Sequence, residues 1–219
     1  YGPELVFEDA VIRVPGRRDA LVTAKAGRVG FDWWRFVRTG RLASGRVTLD
    51  GARLYVYVTD EGLELRGQGA LFRDRDPNAP LRLDRLPMGR LAGPDSTLTV
   101  QDLRARGAPL ALAEVEIDAE RTRAALVVAG RARLPRELGE RLQVAARLEG
   151  DLASLDRTPW SGTVTLRDAQ LPGWAAFAPQ WGTGPADGHG DVRAELRGVG
   201  PRVDRAATRV ALADVKARA

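Results

Sequence analysis

Few residues in this chain are suited to chemistry. The one histidine, His189, stands in GPADGHGDVRAE between Asp187 and Asp191. That spacing could serve a general base, but no activated nucleophile is placed beside it. A polar residue in a glycine turn that leads into a strand is the simpler reading. GHGD is no phosphate loop, because such a loop must open a helix and an alternating strand pattern follows here. The acidic pairs Glu8/Asp9, Asp74/Asp76 and Glu114/Glu116 raise glycosidase or calcium chemistry. DRDPN, however, lacks the glycine and distal glutamate of a calcium loop. Glu114 and Glu116, two residues apart on a strand, share a face that suits solvent. The chain has no cysteine, which removes disulfides, thiolate metal sites and cysteine nucleophiles together. A single histidine excludes a multi-histidine metal centre. No catalytic residue, cofactor or metal is expected.

Other elements must therefore carry the function. The chain has 219 residues, 44% of them hydrophobic, which disfavours disorder as its main state. Its 24 glycines and 13 prolines predict many turns and few long helices. Lysine and arginine number 34 against 29 acidic residues. Basic and acidic residues alternate at short range, without the single basic stripe that marks a nucleic-acid binder, so nucleic acid is not an expected partner. The longest strongly apolar run, 124–129, is far short of the roughly 20 residues of a membrane helix. The opening YGPELVFEDA has neither the basic region nor the apolar core of a signal peptide. It reads as the interior of a longer protein.

The dominant periodicity is two. Val47 and Leu49 lead to an Asp50-Gly51 turn, then Leu54, Val56 and Val58 follow, and Asp60-Glu61-Gly62 precedes Leu63 and Leu65. Asp-Gly between alternating runs is a hairpin signal, so three antiparallel strands are expected between about 46 and 66. Leu98 and Val100 resume the pattern. Leu110 and Leu112 then give way to Val115 and Ile117, a parity change that predicts a bulge near Ala113. Leu126 and Val128, Leu142 and Val144, Val164 and Leu166, Val192 and Leu196, and Val210 and Leu212 continue the series. Residues 5–14 and 20–30 read as two more strands. The total is ten to twelve strands in an antiparallel meander. Two short helices are expected. One follows Asp32 through WWRFVRTG, with aromatic residues that either pack on the sheet or sit at a membrane interface. The other lies in LPGWAAFAPQW, with Pro172 in its first turn.

These patterns predict a mainly β protein, a long curved antiparallel sheet with a few short helices. It reads as one continuous unit over 1–219, divisible into a first β segment (1–72), a linker (73–95) and a second β segment (96–219). The inward residues are nearly all Leu, Val and Ala, and little else is available to cover them. An uncovered aliphatic face is a liability unless it binds something. Val47, Leu49, Leu54, Val56, Val58, Leu98, Val100, Leu126, Val128, Leu142, Val144, Val164, Leu166, Val192, Leu196, Val210 and Leu212 are expected to line one concave surface.

The order of features from Leu81 onward resembles the AsmA-like proteins, and the YhdP group among them. STLTVQD is followed by PLALAEVEID, LPRELG, RLQVAARLEGDL, WSGTVTLRDAQLPGW, DGHGDVRAELRG and RVALADVKA. GRLASGRVTLDGARLYVYVTDEGLEL resembles that family's repeated unit. The resemblance covers about three quarters of the chain and implies a repeating β-groove. It also implies a non-enzymatic, bridge-like carrier whose groove shields phospholipid acyl chains between the inner and outer membranes. The full-length protein would be periplasmic and anchored in the inner membrane through parts outside this chain. The alternatives are a structural or adaptor β-domain of the envelope with a filled core and no lipid cargo, a carbohydrate-active β-sandwich, and a transmembrane barrel. The barrel lacks the aromatic girdles it would need, since the chain has three tyrosines.

Overall fold

The computed structural model describes residues 4–13, 20–31, 37–38, 44–59, 62–66, 89–104, 108–122, 124–150, 157–177, 187–200 and 202–216. The protein is mainly β. Twelve strands form one sheet: β1 (Glu4–Arg13), β2 (Ala20–Phe31), β3 (Ser44–Asp50), β4 (Arg53–Thr59), β5 (Gly62–Leu65), β6 (Arg90–Asp102), β7 (Leu110–Arg121), β8 (Ala125–Arg133), β9 (Arg141–Glu149), β10 (Pro159–Gln170), β11 (Asp187–Val199) and β12 (Arg202–Lys216). Helix α1 (Leu171–Phe177) lies between β10 and β11. Of the other expected helix, only Val37 and Arg38 are described, both helical and exposed; Trp33 and Trp34 lie outside the described residues.

From β6 to β12 each strand pairs antiparallel with the next. The first part departs from the expected meander in one respect. Asp50-Gly51 does not close a hairpin between β3 and β4. Both strands run parallel to β6, with Val47 opposite Leu91 and Leu54 opposite Leu98. The offset is the same in both pairings, so β3 and β4 are two halves of one long strand kinked at 50–52. β2 pairs antiparallel with both halves, Gly27 opposite Leu49 and Thr23 opposite Arg53. Three hydrogen bonds tie the kink to β6: Gly51 N–H to the Pro94 carbonyl (3.1 Å), Thr97 N–H to the Ala52 carbonyl (2.8 Å) and Ala52 N–H to Ser96 Oγ (3.2 Å). Gly51 adopts φ +59°, which a kink needs as much as a hairpin turn does. Only β4 and β5 form the expected hairpin here. The sheet is therefore mixed, with one parallel junction.

Strand β6 begins at Arg90, inside the stretch 73–95 expected to be a linker, and pairs on both sides; residues 67–88 lie outside the described ones. One edge of the sheet is β12, and β1 and β5 lie at the other, so the described strands do not close into a barrel.

No second sheet packs on this one among the described residues. The buried hydrophobic residues are mostly alanines (Ala24, Ala52, Ala125, Ala132, Ala169), with Leu112, Val115, Leu134 and Leu138. The accessible surface is 15235 Å². The one local core joins Leu112, Val115, Ala132, Leu134 and Leu138 with Leu142, Leu166 and Trp174. There α1 sits on the 135–139 turn, and Trp174 Nε1–H donates to the Leu138 carbonyl at 2.7 Å.

Candidate functional site: one aliphatic face across the sheet

Directly paired residues of a sheet point to the same side. The register thus reads out the faces. One row crosses ten strands: Leu5, Val29, Val47, Leu91, Ala119, Val128, Ala146, Gly162, Leu196 and Ala206. Every member is apolar or glycine. At about 4.8 Å per strand the row is roughly 43 Å long. The next row joins Ile117, Gly130, Val144, Val164 and Ala194, and the one beyond it Ala132, Leu142, Leu166, Val192 and Val210. Leu54, Val56, Leu98 and Val100 extend the face through the parallel pairing, together with Leu110 and Leu112. Val58, Leu126 and Leu212 follow by the same register, and Leu49 by alternation from Val47. By pairing register and alternation these residues lie on one side of their strands.

Much of that face is open. Val144 is 38% exposed and Val210 50%. Aromatic rings enter it where glycines leave room. A Cβ at Gly27 would lie 2.0 Å from the Phe7 ring, and one at Gly198 2.9 Å from Trp160. Trp160 Nε1–H is satisfied by the Gly200 carbonyl at 2.9 Å.

A seam of bulges keeps the face continuous. Asp9, Asp95, Glu114, Asp168 and Asp214 all have positive φ, from 47° to 55°. Register shifts mark four of them: β6 between Gly93 and Ser96, β7 between Ala113 and Glu116, β10 between Leu166 and Ala169, and β12 opposite 187–189. Each bulge changes strand parity, so apolar residues of opposite parity meet on one side. The bulge expected near Ala113 is centred on Glu114. The rest were missed, although the sequence carries a signal in FEDA (7–10), LAEV (112–115), LRDA (166–169) and LADV (212–215). Aspartate, which holds four of the five positions, tolerates the left-handed region better than most non-glycine residues.

The opposite face is charged. A depression of about 680 Å³ is lined by Thr48, Glu116, Asp118, Ala129, Arg131, Gln143, Ala145, Thr163 and Arg193. The charge on this face is segregated. β7 contributes Glu114, Glu116, Asp118 and Glu120. β9–β12 contribute Arg141, Arg147, Arg167, Arg193, Arg197, Arg205 and Arg209 against Glu149, Asp191 and Glu195. The even scatter of charge along the chain is thus not preserved in the fold. Glu116 pairs with Arg131 at 2.6 Å, and Glu114 pairs with Arg133. Hydrogen bonding to Glu116 raises the Arg131 pKa, and Asp118 does the same for Arg90.

His189 Nε2 lies 3.9 Å from Asp168 Oδ1, with no nucleophile between them. The amide of Asp168 donates to Asp191 Oδ1 at 3.0 Å. These groups brace the β10 bulge. Asp9 has a positive φ within β1, whose register with β2 is unbroken there, and Asp74 and Asp76 lie outside the described residues. No group of three or more metal-ligating side chains occurs among the described residues, and no described helix is long and apolar enough to cross a membrane.

The described residues define a class: an open, single-layer β-sheet with one aliphatic and one charged face. Comparison with protein-family models, with curated proteins and with solved structures gave no match.

Proposed function

We propose that this chain is a segment of a bridge-like lipid transfer protein of the Gram-negative periplasm, whose aliphatic face shields phospholipid acyl chains between the inner and outer membranes. The unbroken apolar row from Leu5 to Ala206 supports the reading best. Each methylene that leaves water for an apolar surface gains about 0.8 kcal/mol. Aliphatic walls supply that gain without directional contacts, so a chain can slide from strand to strand without a deep minimum. Headgroups stay in water at the rim, and selectivity among them is weak. The chemistry is physical transfer, not catalysis; His189 and the carboxylates serve the backbone.

An envelope adaptor domain with a filled core is the competing reading, and a core built mostly of alanine beside one small cluster speaks against it. The test is lipid extraction from the purified chain followed by mass spectrometry. Co-purified phospholipid of mixed headgroups is expected. A lipid-free chain that takes up no phospholipid from vesicles would overturn the proposal.

A further inference from the structure

The charged face places like charges directly opposite one another. In one row across β9–β12 stand Arg147, Ser161, Arg197 and Arg205. Arg197 and Arg205 form a cross-strand pair, an arrangement that destabilises a sheet when nothing neutralises it. Neither has an ion-pair partner among the described residues. Arg147 is held by Glu149, its Nε 2.5 Å from Oε1. A depression of about 390 Å³ opens beside this row, with Arg147, Ser161, Arg193, Glu195 and Arg197 in its lining and Arg205 outside it.

We propose that Arg197 and Arg205, with Ser161 beside Arg197, form an oxyanion site for phosphate esters. Two arginines whose Cβ atoms stand about 5 Å apart on paired strands can converge on a phosphate, whose oxygens accept from both planar forks. The Ser161 hydroxyl supplies a further donor, and a bound phosphate removes the repulsion between the arginines. The site lies on the face opposite the aliphatic rows, so it does not depend on the lipid-transfer reading. The phosphate can belong to a bilayer headgroup or to a soluble ester.

The test uses the whole chain at low ionic strength, with vesicle flotation on phosphatidylglycerol-containing and pure phosphatidylcholine vesicles, and calorimetric titration with inorganic phosphate. Flotation only with the anionic vesicles is expected, reversed by salt. The double variant Arg197→Gln/Arg205→Gln should weaken binding at least about tenfold, the loss of a charged hydrogen bond or more. Arg136→Gln, which removes an exposed charge from the 135–139 turn, should change it little. Phosphate titration that is sensitive to the double variant, without flotation, assigns the site to soluble esters. Equal effects of the double variant and Arg136→Gln, with normal melting of both, would overturn the proposal, as would absence of binding in both assays.

Discussion

Val128→Asp separates a lipid-facing surface from a protein core. Val128 sits mid-row between Ala119 and Ala146, half-buried, with no second layer over it among the described residues. If the face is bare or lipid-covered, the new carboxylate reaches water in the isolated chain. The cost is then the strand propensity and cross-strand packing of one valine, about 1 kcal/mol. For a chain of this length that lowers Tm by about 3 °C. If a protein layer covered the face, an unpaired buried charge would cost at least about 3 kcal/mol and lower Tm by roughly 10 °C. Val127→Asp is the control. It points to the charged face between Glu120 and Arg147 and is 38% exposed. Thermal melting by circular dichroism should show similar small losses for both variants, while lipid transfer between vesicles falls only for Val128→Asp. There a carboxylate against acyl chains costs several kcal/mol to desolvate. A large Tm loss confined to Val128→Asp, with no transfer activity in the parent chain, would refute the reasoning.

Three further outcomes follow from local geometry. Asp168→Gly should leave stability unchanged or raise it by up to about 1 kcal/mol, whereas Asp168→Val should cost about 1–2 kcal/mol, because φ is +50° there; urea unfolding of the pair checks this. Gly173→Ala should displace α1 from the 135–139 turn, since a Cβ would lie 1.6 Å from the Glu137 carbonyl oxygen, and Trp174 fluorescence should shift to the red. Ser96→Ala should cost about 1–3 kcal/mol in thermal melting by orphaning the Ala52 amide, because Ser96 is 1% exposed and accepts from it.

Much of the fold was legible because a one-sided sheet imposes period two on its sequence. β1, β2 and β6–β12 all carry that alternation, and Glu114 showed itself as a parity change. The Asp50-Gly51 kink was misread because a positive φ at Gly51 serves a hairpin and a bulge equally. The choice between them is made by Ser96 and Pro94, more than forty residues away. The seam was missed because each FEDA-like tetrad is too short to stand out alone; its meaning is the shared left-handed carboxylate. The arginine rows were invisible for a different reason. Glu195 neutralises Arg193 and Arg197 along the chain, yet Arg193 faces Arg209 and Arg197 faces Arg205 across it.

The central claim, that the continuous aliphatic row carries acyl chains, is tested most directly by site-specific photocrosslinking in cells. A benzophenone amino acid replaces Val47, Val128 or Leu196 on the row, and Thr48 or Ala129 one residue along on the charged face, away from the arginine row. The account predicts phospholipid adducts at all three row positions and none at their neighbours. Adducts to protein alone along the row, or lipid adducts equal on both faces, would contradict it.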